Sequence, residues 1–288
     1  MDSYLLGELP VRRIGFGAMQ LPGPGVFGPP RDHDEAIAVL RRAVELGVNH
    51  IDTAQFYGPD VSNELIREAL HPYADDLVIV SKVGAVRDDK GAWLPAQRPE
   101  QLREQVDANL RTLGTERLGA VNLRLMDHDV PADQQVSLPD QLAEMVALRD
   151  EGKIAGVGIS TASHEQVRQA IELAQIVCVQ NAFSLVDTSD RAVLDFCRDQ
   201  GIAYVPYFPL GSAFPNTPKV TEQPAVLAVA ERLGATPAQV GLAWLLAQAE
   251  NVLLIPGTSR VSHLEQNMAV ADVALSADDL AELSTPAG

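Results

Sequence analysis

The feature that most constrains this sequence is a rhythm. Short apolar runs alternate with longer stretches whose apolar residues recur at helical spacing. The runs are IGFGA (14–18), the segment around 50–52, LVIVSK (77–82), LGAVNLRLM (118–126), IAGVGIS (154–160), IVCVQ (176–180), IAYVPYF (202–208) and VLLIP (252–256). Between and after them, helices are predicted over 34–46, 62–70, 99–112, 138–151, 164–174, 190–200, 224–233 and 237–249, and a last one begins near 262. In the first helix Ile37, Leu40 and Val44 share a face, and Gly47 is placed to end it. Apolar strands separated by amphipathic helices imply a parallel sheet covered on both faces. Eight such repeats predict an α/β fold closed as a (β/α)8 TIM barrel rather than an open sheet. The glycine fingerprint of an open dinucleotide-binding sheet is missing, because GFGAMQ (15–20) lacks its third glycine. YLLGELPVRRI predicts a short N-terminal hairpin, and the absence of a dividing linker predicts one domain over 1–288.

Charge narrows the function classes. A net charge of −17 argues against a nucleic-acid or anionic-membrane surface. An anionic cofactor then needs a local cluster of donors. Cys178 and Cys197 give neither a disulfide framework nor metal spacing. MDSYLLGELP has no basic, then apolar, leader pattern, and no apolar run reaches membrane length. The chain is expected to be soluble and cytoplasmic. Its oligomeric state is left open.

In a barrel the chemistry sits at the C-terminal strand ends. Collected from those ends are Gly17, Ala18 and Met19; Asp52 and Tyr57; Lys82; Asn122 and Arg124; Ser160; Gln180 and Asn181; Tyr207; and 257–260. Asp52, Tyr57 and Lys82 form a coherent set. A phenol that titrates near ~10 needs a neighbouring cation to exchange protons near neutrality. Lys82 can supply that charge, and Asp52 can hold the lysine protonated. Singly, each has an ordinary reading as a turn cap, a surface tyrosine or an ion-paired lysine; on adjacent strand ends they favour an active site.

These residues carry a resemblance. GFGAM, IDTAQFYG, NELIREAL, VIVSK, GVGIST, VQNAFS, PYFPLG and IPGTS with HLEQN occur in order from residue 15 to 267 and resemble the aldo-keto reductase superfamily. The resemblance implies NADPH-dependent reduction of a small aldehyde or ketone, without metal. It implies Tyr57 as general acid, with Lys82 lowering its pKa and Asp52 supporting Lys82. Ser160, Thr161 and Gln180 would meet the nicotinamide carboxamide and Tyr207 its ring. Phe208, Leu210, Gly211 and Ser212 would follow the pyrophosphate, with Gly17, Ala18, Met19 and Gly257 also lining the cofactor. Ser259 and Arg260 would meet the 2′-phosphate, and Gln266 and Asn267 the adenine.

The sequence departs from the superfamily pattern at two positions. Thr161 stands where the superfamily usually has Asn. At strand four, where the superfamily has a catalytic histidine ending a pattern like DLYYLH, alignment through Leu113–Gly114 puts Arg124. A fixed, forked cation there could stabilise a developing alkoxide, bind an oxygen-rich substrate, or simply pair with a carboxylate. VNLRLMD (121–127) also resembles a bacterial branch associated with pyridoxal reduction. Two other functions remain open on the same barrel. One is an NADPH-binding sensor with little turnover, which Arg124 supports; the other is a lyase or aldolase using a Lys82 Schiff base. Asp127, His128 and Asp129 could ligate a metal, but a solvated loop is the plainer reading. Trp93, in the long loop expected over 83–98, could line a substrate pocket or merely pack.

Overall fold

The computed structural model describes residues 2–126, 130–131, 135–211 and 217–284. The chain opens with an antiparallel hairpin, β1 (Ser3–Leu6) and β2 (Leu9–Arg12), turning at Gly7, whose φ of 65° suits glycine. The barrel strands then follow as β3 (Phe16–Gly17), β4 (His50–Asp52) and β5 (Val78–Arg87). β5 folds back on β6 (Trp93–Ala96), which is antiparallel to it. The barrel continues through β7 (Ala120–Arg124), β8 (Val157–Ser160), β9 (Ile176–Gln180) and β10 (Ala203–Tyr204). The parallel order is β3-β4-β5-β7-β8-β9-β10.

Segment 252–254 closes the ring. Leu253 N donates to Tyr204 O at 2.9 Å on one side, and Leu254 N to Arg13 O and Gly15 N to Leu254 O, both at 2.8 Å, on the other. Eight strand positions therefore complete the (β/α)8 barrel, as the alternation predicts. The eighth is held by isolated bridges, Tyr204 to Val252 and Ile14 to Leu254.

The helices are α1 (His33–Glu45), α2 (Val61–Leu70), α3 (Pro99–Leu113), α4 (Leu138–Asp150), α5 (His164–Leu173), α6 (Arg191–Asp199), α7 (Pro224–Leu233), α8 (Pro237–Leu246), α9 (Val261–Met268) and α10 (Ala277–Leu283). Their ends follow local chemistry. Asp32 accepts from Glu35 N to start α1, and Gly47 (φ 92°) follows its last residues. Ser163 with Gln166, and Thr236 with Gln239, form capping boxes on α5 and α8. Gly114 and Gly234 end α3 and α7 in the left-handed region.

Two features differ from the sequence expectation. Residues 83–98 are not a plain loop: β5 runs five residues past Lys82, and Asp88 turns it by accepting from Lys90 N and Ala92 N. α10 had no predicted counterpart.

The core has two parts. One lies between the helices and the outward faces of the strands, with Ile51, Leu102, Val121, Ile159, Leu194 and Leu254 among its members. The other fills the lower barrel: Val78, Val80, Ala120, Cys178, Ala203 and Leu253, closed from below by Leu6 and Val11 of the hairpin. Because strand side chains alternate, the residues two positions further along point inward nearer the top. In this way Val80 leads to Lys82, His50 to Asp52 and Cys178 to Gln180.

Candidate active site

β4 and β5 pair in parallel, with Asp52 opposite Val80, so the ends of both strands open on the same mouth. Asp52 is 2% exposed and Lys82 4%. Lys82 Nζ donates to Asp52 Oδ1 at 2.5 Å and to the Thr53 carbonyl at 3.0 Å. Gln180 Nε2 donates to Asp52 Oδ2 at 2.9 Å, so one carboxylate ties three strands together. Tyr57 follows β4 in a turn closed by Tyr57 N to Ala54 O at 3.0 Å. Its ring centroid lies 5.0 Å from Lys82 Nζ.

Electrostatics at these groups are set by burial and the single carboxylate. Burial pushes the Tyr57 phenol up from its ordinary value; the Lys82 charge pulls it down, as does Arg124 more weakly, but burial wins. For Lys82, burial alone would lower the ammonium, yet Asp52 and Tyr57 outweigh it and hold it above its usual value. Tyr57 and Lys82 are therefore both protonated at neutral pH, with the acid poised against a fixed cation.

Arg124 ends β7, opposite Ser160 of β8. Gly84 (φ 104°) lets β5 approach it closely: a Cβ at Gly84 would lie 2.4 Å from the Arg124 carbonyl oxygen. The Arg124 guanidinium lies 5.2 Å from the Trp93 ring centroid, and its Nε is buried without a hydrogen-bond partner. Among the described residues no carboxylate pairs with it. Trp93 belongs to β6 and meets Phe56 edge-to-face at 5.2 Å; Phe56 meets Tyr57 likewise at 5.4 Å. Met19, Val26, Met126 and Val130 pack with these rings. The mouth beside Tyr57 thus has apolar walls, with the Lys82 and Arg124 cations set against its aromatic rings.

The expected cofactor residues divide. Ser160 (2% exposed) and Gln180 (1%) lie inside the mouth, and Gln180 Oε1 is buried with no partner among the described residues. A free acceptor beside a hydroxyl suits a carboxamide. Tyr207 is half-buried at the β10 end and meets Phe208 edge-to-face at 5.1 Å. Thr161 is exposed, at φ 60°, with its hydroxyl 3.4 Å from that of Ser160. That backbone region favours Asn over a β-branched residue, a physical reason for Asn at such a place. Phe208 is also left-handed, at φ 54°; Leu210 and Gly211 follow it, half-buried.

Other members have plainer explanations. A Cβ at Gly17 would lie 2.5 Å from Ile255 O, and one at Gly257 2.5 Å from Gly17 O, so close strand packing accounts for both glycines. The Ala18 carbonyl accepts from Ser62 Oγ, and Met19 packs among the aromatic rings. Ser259, Arg260 and Gln266 are exposed, and Asn267 half-buried, along the start and outer face of α9. Two donors there are already used: Arg260 N by Thr258 Oγ1 and Val261 N by Glu35 Oε1. Ser212 and the Asp127–His128–Asp129 cluster lie outside the described residues.

Two residues, Thr53 and His50, gained importance only in the structure, and Asn122, already collected from a strand end, gained a defined place. Thr53 presents its carbonyl to Lys82. His50 and Asn122 are wholly buried within the barrel, with His50 Nδ1 and Asn122 Nδ2 unpartnered. Asn122 Oδ1 accepts from Cys178 Sγ at 3.1 Å. The two-residue periodicity below Asp52 was the available signal for His50.

The aldo/keto reductase family model matches residues 13–285. The chain belongs to the aldo/keto reductase family. It is an oxidoreductase. Among curated relatives, pyridoxine 4-dehydrogenase of Escherichia coli strain K12 is 48% identical over 282 residues, covering 98% of this chain and 97% of the relative. An uncharacterized oxidoreductase of Schizosaccharomyces pombe is 38% identical, covering 96% and 87%. Among solved structures, a thermostable aldo-keto reductase bound to the inhibitor epalrestat superposes with TM-score 0.82 at 28% identity, covering 99% of both chains. An aldo/keto reductase from Klebsiella pneumoniae in complex with NADP and acetate gives 0.77 at 25% identity, covering 95% and 90%.

Proposed function

We propose that this protein reduces a small aldehyde or ketone with NADPH, with pyridoxal to pyridoxine as the leading reaction. The observation that carries the reading is Lys82 held between Asp52 and Thr53 beside the buried Tyr57. The pyridoxine 4-dehydrogenase relative and the NADP-bound Klebsiella pneumoniae neighbour support substrate and cofactor.

NADPH, when bound, supplies a hydride to the carbonyl carbon. Tyr57 gives its phenolic proton to the carbonyl oxygen, so the product leaves as an alcohol. Lys82 stabilises the phenolate that remains until a proton returns from solvent, and Asp52 keeps Lys82 charged and in place. Gln180 Oε1, unpartnered and buried, would accept from the nicotinamide carboxamide; Ser160 and Thr161 flank it. Tyr207 would face the ring, Phe208, Leu210 and Gly211 the pyrophosphate, and Arg260 with Ser259 the 2′-phosphate. The aromatic wall of Phe56 and Trp93 keeps water from the reacting carbon, and Arg124 orients the polar aldehyde.

The test is NADPH oxidation with pyridoxal and a panel of simple aldehydes, compared with NADH. Turnover with pyridoxal that Tyr57→Phe abolishes supports the reading. Tight NADPH binding with negligible turnover across the panel would replace it with a sensor on the same barrel.

A further inference from the structure

Thr161 is β-branched yet adopts φ 60°, a region where such residues rarely rest. The conformation persists only if the surroundings hold the peptide planes on either side of it. The plane before Thr161 is held by neighbouring strand ends. Leu125 N donates to Ser160 O at 2.9 Å, and Thr161 N donates to Gln180 O at 3.1 Å. Beyond Thr161 a single side chain takes over. Ala162 N donates to Asn181 Oδ1 at 3.0 Å, and Asn181 Nδ2 donates to Ala162 O at 2.8 Å. One amide thus grips both the N–H and the C=O of Ala162, and both residues are buried.

The grip is itself oriented. Asn181 Nδ2 donates a second time, to Asp190 Oδ2 at 3.0 Å, and the same oxygen accepts from Tyr204 Oη at 2.6 Å. Turned over, the amide would set its oxygen against the Ala162 carbonyl and the Asp190 carboxylate, so only one orientation is satisfied. Tyr204 is wholly buried and ties the set to β10. The main chain of Asn181 has a separate role: its carbonyl accepts from Tyr207 N at 2.9 Å. A change confined to the side chain tests the grip alone.

What the grip fixes faces the mouth. The Thr161 hydroxyl lies 3.4 Å from that of Ser160, and Gln180 immediately precedes Asn181. We propose that Asn181, oriented by Asp190 and Tyr204, is a positioning residue for the nicotinamide half of the cofactor. It holds Thr161 left-handed and so keeps the Ser160–Thr161 edge of the carboxamide pocket in place. The inference rests on the reading of Ser160, Thr161 and Gln180 as that pocket. It makes the clamp necessary because residue 161 is threonine. Asparagine visits the left-handed region far more readily, so Asn at 161 would need position 181 less.

The experiment measures dissociation constants by calorimetry for NADP+ and for adenosine 2′,5′-bisphosphate, which lacks the nicotinamide. The proteins are the wild type, Asn181→Ala, Thr161→Asn and the double variant. Asn181→Ala should weaken NADP+ by about 10-fold, the worth of one or two hydrogen bonds. Adenosine 2′,5′-bisphosphate should bind it as it binds the wild type, which also shows that the variant is folded. Asn181→Ser gives the same readings if the alanine variant fails to fold. Adding Thr161→Asn to Asn181→Ala should restore most of the NADP+ affinity, a gain several-fold larger than the same change gives in the wild type. A residue that only stabilised the fold would lose both ligands together, and position 161 would not bring them back. The proposal is overturned if folded Asn181→Ala binds NADP+ like the wild type, if both ligands weaken equally, or if Thr161→Asn acts alike in both backgrounds. Should the wild type bind NADP+ no better than adenosine 2′,5′-bisphosphate, the pocket reading fails and the clamp falls with it. Should NADP+ behave as expected while no carbonyl is reduced, the reductase reading fails and the clamp stands.

Discussion

Lys82 Nζ stands 2.5 Å from Asp52 Oδ1, and both side chains are almost wholly withdrawn from water. A buried pair of this kind is more costly to break than to replace, because removing one partner strands the other charge. Asp52→Asn should therefore cost about 3–5 kcal/mol of stability. The double variant Asp52→Leu with Lys82→Met should recover most of that loss yet stay inactive. Chemical denaturation and turnover, measured on the same samples, check both halves; equal stability in the single and double variants would contradict the argument.

Tyr57 is expected to supply the proton. Tyr57→Phe should lower kcat/KM by about 10²- to 10⁴-fold, the usual contribution of a general acid. The cofactor dissociation constant should not move. A variant that keeps full activity would assign the proton to another group.

The same site fixes a pH profile. Burial holds the Tyr57 phenol above its ordinary value, and Asp52 with Tyr57 does the same for Lys82. Both groups then hold their protons through the neutral range, so kcat/KM for reduction should be flat there and fall only in alkali. A descending limb centred near neutrality would mean that a different acid controls the reaction.

Arg260 is exposed at the start of α9, where Glu35 already occupies the Val261 N–H. The arginine side chain is the charged donor at this helix start, so discrimination for a phosphate is expected to depend on it. Arg260→Ala should weaken NADPH binding by about one to two decades and leave NADH nearly unchanged. Equal loss for both cofactors would move the phosphate contact elsewhere.

His50 makes an acid-sensitive element. Burial in the barrel lowers its pKa to about 4, against an ordinary 6.5. The unfolded chain takes up a proton that the folded one refuses, so stability is full above the ordinary value and is lost as pH falls through the window from 6.5 to about 4. The loss attributable to this group is about 3 kcal/mol at the lower end. His50→Gln should flatten that part of the stability–pH curve; an unchanged slope would mean other groups carry the acid response.

The barrel was legible because alternation is a long-range pattern, repeated often enough to survive errors at single strands. The short eighth strand was legible only as an apolar run, since its pairing depends on Tyr204 and Ile14, far away in sequence. Asp52, Tyr57 and Lys82 could be read from spacing and residue type alone. The ordinary readings of Gly17 and Gly257 could not, because each requires knowing which carbonyl oxygen lies opposite. β6 was hidden for a similar reason: WLPA contains a proline and has too few residues to show a period, and its strand character comes from pairing with β5. The balance of forces on Tyr57 was also out of reach. A sequence names the lysine that pulls the phenol down, but not the burial that overrides it.

The hairpin beneath the barrel is a floor. Leu6 and Val11 cover the lowest layer of inward side chains, Val78, Val80, Ala120, Cys178, Ala203 and Leu253, so that layer is packed on every side. A chain shortened to begin after Arg12 would strip this floor and bring water against a layer built for none. Cys178, whose thiol burial pushes up to about 12, would then regain a more ordinary acidity, and its alkylation rate would report the loss of the floor.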